Sequence, residues 1–392
     1  MTEPDVVVIG GGPAGLAAAI VCATHGLTTT LVERHSSPVD KPCGEGLLPN
    51  GVAALARIGI EAELVAAQAK AIVGIRYRTP QGRTAEASFE GHTGLGIRRT
   101  DLSRVLFAHA RTLPRLEVVT GQAVAAVDAS GRPLVRAAGT TYRPKLVVGA
   151  DGLHSRTRDL VSIAVDRRSR HRWGCRQHFD GEPWTDHVEV HFARGFEVYV
   201  TPVARGVNVA VLWDARVVQP PAGKSPVASL VAHVPALARQ LVSRAPTDRA
   251  RAGGPFDVRV RRPWRPGVLL MGDAAGYVDA LTGEGIGVAL EQAALLSSTV
   301  VPALRRTTHG AVIDSEALAR FAQTARSRSR SNRVLTRVLV RIARHPALVE
   351  GIVAALASSP TLFAHLLDVN MGRRKIWRVP LAFGTLREEP SQ

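Results

Sequence analysis

The short apolar run from Asp5 to Ile9 leads directly into Gly10, and glycine recurs at positions 12 and 15. A wholly apolar strand of this kind belongs in the middle of a parallel sheet, where both of its faces are covered. In a G-x-G-x-x-G turn the first glycine permits the tight reversal. The second, Gly12, admits a pyrophosphate close to the backbone, and the third, Gly15, lets the following helix pack tightly. Pro13 and Ala14 open that helix, expected to run to His25, and its amino terminus offers free N–H groups and the positive end of a dipole to phosphates. A second β-rich run, Thr28 to Val32, leads to Glu33 and Arg34. A carboxylate at the tip of the second strand accepts hydrogen bonds from both ribose hydroxyls of a dinucleotide and disfavours a 2′-phosphate. The nucleotide expected here is FAD or NAD and not NADP.

The remaining pattern predicts an α/β fold: a Rossmann-like unit, an inserted antiparallel β-sheet and a helical carboxy-terminal region. Helices are expected over Leu47 to Leu64 and again where Thr100 stands as a cap ahead of Leu102, Leu106 and Ala110 on one face. Leu116 to Val119 and Lys145 to Gly149 read as further strands of the first sheet. Between about Arg170 and Trp213 the periodicity changes to two, as in Val188, Val190 and Phe192, which predicts an antiparallel sheet with one buried face. Val268 to Met271 returns to the first lobe, and after Gly285 the chain is helical. The expected division is a nucleotide-binding lobe over residues 1–165 and 263–302, a substrate lobe over 166–262 and a helical region over 303–392. In the last, Val334, Leu335, Val338, Leu339 and Ile342 share one face and Arg333, Arg337, Arg341 and Arg344 another. Such a helix packs on its own domain, with peripheral contact to a membrane as the alternative.

The chain of 392 residues carries 50 Lys and Arg against 33 Asp and Glu, a formal net charge of +17. These basic residues are scattered, and no zinc-finger, basic-zipper or RNA-recognition signature accompanies them, so nucleic acid is not expected as a partner. An Arg-rich solvated surface, and attraction for anionic cofactors and acidic or phenolate substrates, account for the excess. Cys22, Cys43 and Cys175 are too few and too scattered for a disulfide framework or a metal site, which suits a reducing cytoplasm. No apolar run reads as long enough to span a bilayer and no leader is evident, so a soluble cytoplasmic protein is expected. Nothing in the residues specifies an oligomeric state.

Two later segments strengthen the opening motif. Gly149-Ala150-Asp151-Gly152-Leu153-His154-Ser155-Arg156-Thr157-Arg158 closely resembles the G-A-D-G-x-x-S-x-x-R motif of single-component flavoprotein hydroxylases, and Gly272-Asp273-Ala274-Ala275-Gly276 is followed by Thr282-Gly283-Glu284-Gly285-Ile286. Together these resemble the superfamily of FAD-dependent monooxygenases and geranylgeranyl reductases with a para-hydroxybenzoate-hydroxylase-like fold, over about Asp5 to Leu296. The resemblance implies that Asp273 bonds the ribitol or bridges to the pyrophosphate. It also implies that the turn through Gly283, Gly285 and Ile286 opens a helix facing the flavin ring. Arg99 is expected at the phosphate or ribitol, Val124 at the adenine, and Cys43, Gly44 and Glu45 on a loop near the isoalloxazine.

Subfamily detail divides. Lys41-Pro42-Cys43-Gly44-Glu45-Gly46 and the Thr282 to Ile286 turn look more like geranylgeranyl reductases, and Gly276 stands where hydroxylases usually carry histidine. The tryptophan-rich motif and active-site lysine of halogenases are not found. The leading expectation is an NAD(P)H-dependent monooxygenase that hydroxylates an aromatic or polyketide-like molecule through a flavin C4a-hydroperoxide. The alternatives are an ene-reductase acting on prenyl or polyene double bonds, and a redox-neutral cyclase or binding scaffold. Only one dinucleotide fold is evident, so NAD(P)H would dock transiently as reductant, with Asp151 and Arg158 as candidate contacts. Arg176, His178 and Tyr199 are expected on strands roofing the flavin, with His178 as a base for a phenol and His191 as a weaker candidate. Cys43 and Glu45 complete the catalytic candidates.

Overall fold

The strand Val6–Ile9 is buried along its whole length and pairs in parallel with Leu146–Gly149 on one side and Thr29–Glu33 on the other. It is central in a six-stranded sheet of the computed structural model, whose order is Trp264–Arg265, Val268–Leu270, Leu146–Gly149, Val6–Ile9, Thr29–Glu33, Leu116–Thr120. All neighbours are parallel except the Trp264–Arg265 edge. The structure describes residues 2–374 apart from residue 37 and residues 62–64 and 168–170. The expected ends of two elements, at Leu64 and Arg170, and of the helical region, beyond residue 374, lie outside the described residues.

Pro13–Thr24 is a helix with almost every side chain buried, because it is sandwiched between this sheet and the Gly285–Thr299 helix. Two helical expectations need correction. The Leu47 to Leu64 stretch yields Pro49–Arg57, while Gly46–Leu47 pairs as a short strand with Gly94–Ile97, since Pro49 can start a helix but cannot sit inside one. Thr100 does not cap: the helix is Arg99–Thr112 with Arg98 at the cap position, although Leu102, Leu106 and Ala110 are buried as the pattern requires.

The second lobe is a seven-stranded sheet ordered Arg251–Gly253, Arg172–Phe179, Gly206–Asp214, Phe196–Val203, His187–Ala193, Gly74–Arg78, Thr84–Ser88. It takes in two strands from before residue 90, and His187–Ala193 pairs in parallel with Gly74–Arg78. The expectation of one buried face is corrected. Val198, Val200, Val209 and Val211 pack on the short helices Pro226–Val231 and Pro235–Leu241. Val188, Val190, Tyr199 and Leu212 face Val353, Leu356, Phe363 and Leu367 of the last helices. The alternation within one strand does not show this, because the apolar residues of different strands fall on opposite faces, Val188 and Val190 on one and Val198 and Val200 on the other.

A further correction concerns apolar length. Gly285–Arg306 spans 22 residues and is apolar enough to cross a bilayer, but 56% of its apolar 18-residue window is buried, as befits a helix of the protein core. Pro346–Ser358 and Pro360–Asn370 meet at a bend of 110° and wrap the inner face of the large sheet.

The small three-stranded sheet that holds Gly94–Ile97 touches the seven-stranded sheet where glycine allows it. A Cβ on Gly96 would lie 1.7 Å from the Pro202 carbonyl oxygen. Gly96→Ala is therefore expected to destabilise the fold by about 3 kcal/mol through overpacking, measurable as a lowered midpoint in urea denaturation.

Candidate functional site

A continuous cavity of about 760 Å3 runs from the glycine turn to the inner face of the seven-stranded sheet. Its first half is polar and built from chain turns at the carboxyl ends of parallel strands, the usual place for a ligand in such sheets. Gly10, Gly12, Pro13 and Ala14 line it, as do Glu33, Arg34, Arg99, Val124, Asp151, Gly152, Gly272 and Asp273. Gly15 does not: a Cβ there would fall 1.8 Å from the Gly10 carbonyl oxygen, so this glycine serves close helix packing.

The electrostatics suit a dinucleotide. No side chain caps the Pro13–Thr24 helix and its first turn holds no acid, so its N–H groups and positive dipole end remain available. The Arg99 guanidinium stands beside that turn, 3.4 Å from where a Gly12 Cβ would be, with Nε buried and unpaired among the described residues. Glu33 accepts from the Gly11 N–H at 2.5 Å and the His35 N–H at 2.9 Å. Burial pushes the Asp273 carboxyl above its usual range, against the pull of Arg99 and Lys41. These groups fit FAD: an orphaned guanidinium and a free helix end for the pyrophosphate, Glu33 for the ribose and Asp273 further along. Sequence reasoning missed Lys41 as a site residue. Its ammonium lies 3.5 Å from a Cβ placed on Gly152, and burial, with Arg99 and Arg34 nearby, lowers its pKa. Its place in the Lys41 to Gly46 segment was the available signal.

The second half of the cavity is apolar. Ile75, Tyr77, Val190, Phe192, Tyr199 and Leu212 form the sheet side, and Leu335, Leu339, Val353, Leu356, Phe363 and Leu367 form the opposite wall. The share of the wall supplied by the carboxy-terminal helices was not foreseen, because an apolar helix face looks the same whether it meets a core or a chamber. Gly283, Gly285 and Ile286 lie at the junction, where the Gly285–Thr299 helix begins without a side-chain cap. A Cβ on Gly44 or Gly283 would meet nothing within 4 Å, so the junction has room for a ring system. The Tyr199 hydroxyl donates to the Leu281 carbonyl at 3.0 Å. Tyr77 and Tyr277 also line the chamber and have no hydroxyl partner among the described residues, and burial raises both, Tyr77 to about 12.

Several candidates are placed elsewhere. His178 does not line the cavity: its Nε2 meets Glu45 Oε2 at 2.6 Å and its Nδ1 meets Asp248 Oδ2 at 2.8 Å. With both ring nitrogens held by carboxylates, it is corrected from a substrate base to a structural joint. Arg176 does reach the cavity, yet its guanidinium is paired with Asp40 and Asp248. Glu45 lines the cavity in a left-handed conformation at φ 60° and also accepts from the Arg99 backbone N–H at 2.9 Å, so it ties the loop down. Cys43 lines the cavity, its carbonyl held by Asn208 at 2.9 Å and its thiol pushed up by burial. His191 bonds Glu189 at 3.3 Å and faces away from the chamber lining. The proposed NAD(P)H contacts are also corrected. Arg158 is fully buried and donates to the Ala274 and Leu153 carbonyls, while Asp151 accepts from Ser155 and Thr157, so both hold their own turn together.

Behind the junction, Asn50 donates to Glu284 at 3.0 Å and to Glu291 at 3.4 Å. Burial, with Glu291 nearby, pushes Glu284 up to about 8, so it is neutral at the helix mouth at lower pH.

Residues 3–328 match the family described as an FAD binding domain. Among curated proteins, the chain is 28% identical to protoasukamycin 4-monooxygenase of Streptomyces nodosus subsp. asukaensis, covering 81% of this chain and 84% of that protein. It is 30% identical to menaquinone reductase of Mycolicibacterium smegmatis, covering 74% of each. Among solved structures it resembles Pseudomonas aeruginosa PqsL in complex with 2-aminobenzoylacetate, with a TM-score of 0.76, 20% identity, and coverage of 90% of this chain and 99% of that one.

Two outcomes are expected. Glu33→Ala removes charged hydrogen bonds to a ribose and weakens FAD binding on the order of 10- to 100-fold, read by titrating flavin fluorescence. Glu284 has a folded-state pKa above its usual 4.5, so the folded state holds its proton longer than the unfolded chain and stability falls as pH rises from there to about 8. Glu284→Gln flattens that stretch of the stability profile, removing a loss on the order of a few kcal/mol, as denaturant midpoints across the pH range would show.

Proposed function

This chain belongs to the FAD binding domain family, and on that premise we propose that this FAD-dependent oxidoreductase is an NAD(P)H-dependent monooxygenase hydroxylating an aromatic or polyketide-like small molecule. The observation that carries the reading is the apolar chamber continuous with the nucleotide cleft. The chemistry that bound FAD supplies there is the passage of reducing equivalents from NAD(P)H and the activation of O2.

The chain's own part is to hold, orient and keep dry. Glu33, Arg99, Asp273 and the glycine turn hold the cofactor, and Lys41 adds positive charge near Gly152. The uncapped start of the Gly285–Thr299 helix favours negative charge at the junction. The sheet and the last helices exclude water around the reacting carbon, which protects reactive species and strengthens local electrostatics. Tyr77 and Tyr277, protonated at neutral pH, donate hydrogen bonds that orient a substrate oxygen. With Asp151 and Arg158 committed to their own turn, NAD(P)H docks elsewhere on the rim of the cleft. A cytoplasmic location belongs to the same proposal, since the reductant is cytoplasmic and all three cysteines are unpaired.

One observation favours a second reading, reduction of a prenyl or polyene double bond. Cys43 lines the cavity with a thiol that burial keeps protonated, which is what a proton donor to a reduced carbon requires. The menaquinone reductase similarity supports the same alternative.

The deciding experiment supplies NAD(P)H, isotopically heavy O2 and panels of aromatic, polyketide-like and isoprenoid compounds to the purified FAD-loaded protein. Hydroxylation is expected to give substrate-dependent NAD(P)H oxidation and a product carrying a heavy oxygen atom. A saturated product formed under anaerobic conditions, with no oxygen gained, would instead establish the ene-reductase.

A further inference from the structure

The Arg330–Ile342 helix has two faces in different surroundings. Leu335, Leu339 and Ile342 line the apolar chamber. On the opposite side Arg330, Arg337 and Arg341 are exposed, beside Val334 at 38% and Val338 at 42% exposure, and Leu348 at the start of the next helix is 53% exposed. Five large hydrophobic side chains are exposed among the described residues, and three of them fall within residues 334–348, on this helix and the first turn of the next. That clustering marks the corner as different from the rest of the surface.

Its charge is one-sided. The helix contains no acidic residue, and among the described residues no ion pair holds Arg330, Arg337 or Arg341. Arg333, Arg337 and Arg341 recur at the four-residue spacing that brings like charges together and destabilises a helix. Burial, followed by Arg337 and Arg326, pulls the Arg333 guanidinium below its usual value. An anionic surface relieves this repulsion. Valine and leucine interleaved with arginine match a lipid bilayer, which takes basic groups at its phosphates and apolar side chains just beneath them. Nucleic acid offers the phosphates without the apolar layer.

We propose that the outer face of Arg330–Ile342 and the start of Pro346–Ser358 dock on an anionic phospholipid bilayer. Docking sets the chamber wall against a reservoir of apolar molecules; the use of that reservoir as a substrate source rests on the apolar-substrate reading above, whereas the docking itself does not.

The test is co-sedimentation of the FAD-loaded protein with vesicles of phosphatidylglycerol and phosphatidylcholine, compared with phosphatidylcholine alone. Binding to the mixed vesicles at low salt is expected, with loss at high salt. R337Q/R341Q lowers the partition coefficient on the order of 25-fold, about fivefold for each arginine at an anionic surface. V334S/V338S lowers it several-fold, with FAD content and circular dichroism unchanged in both variants. Failure of the native protein to bind the mixed vesicles overturns the proposal, as does undiminished binding by both variants. Tighter binding to duplex DNA than to the mixed vesicles, retained by V334S/V338S, overturns it in favour of a nucleic-acid surface. Vesicle binding with no oxygen incorporation in the earlier assay leaves the docking intact and removes only the hydroxylation reading.

Discussion

The Pro13–Thr24 helix lies so close to the strand before it that residue 15 has no room for a side chain, with the Gly10 carbonyl oxygen 1.8 Å from any Cβ. Gly10, having no Cβ, turns at φ 108° and makes that closeness possible, dropping the helix end over the cleft. A helix pinned between a sheet and a second helix cannot tilt to relieve strain, so its dipole stays aimed at one place. The Gly285–Thr299 helix packs along it and brings its own uncapped start to the same cavity. Two helix ends with Arg99 and Lys41 make the cleft electropositive, and Glu33 and Asp273 set polar limits within it.

The join between the two lobes is polar. Residues 40–45 reach across to the large sheet through Asp40 and Arg176, through Glu45 and His178, and through the Cys43 carbonyl and Asn208. Asp248 closes the cluster by pairing with both Arg176 and His178. Buried charges arranged in this way specify one geometry more than they add stability, because desolvation offsets much of the attraction. The loop that carries Cys43 to the cavity is thus held in place by the sheet that roofs it.

Much of this was legible in the residues. The glycine turn, Glu33, the Asp151 and Asp273 segments and the alternating strands all lie where spacing put them, because each depends on local backbone geometry that only certain residues permit. What escaped were relations between distant segments. A histidine on a roof strand shows no partner in its own segment and so suggests a base, whereas the partners of His178 lie 133 and 70 residues away in the chain. The same distance hid the burial of Arg158 under Ala274. The Gly74–Arg78 and Thr84–Ser88 strands join a sheet whose remaining members begin only at Arg172, a pairing no periodicity announces. Leu335 and Leu339 share the apolar face of their helix, as core side chains do, and bound open space.

The order in which the chamber's walls occur along the chain has its own consequence. Both lobes are complete once the Ser315–Arg328 helix has been made, whereas the far wall comes from the three helices between residues 330 and 370. Because a polypeptide leaves the ribosome amino end first and its domains fold as they emerge, a nascent chain offers an open cleft before its cover exists. A cofactor with a bulky ring can then be seated from the wide side during translation. Once the last helices close, that wide side is walled by Leu335, Leu339, Phe363 and Leu367.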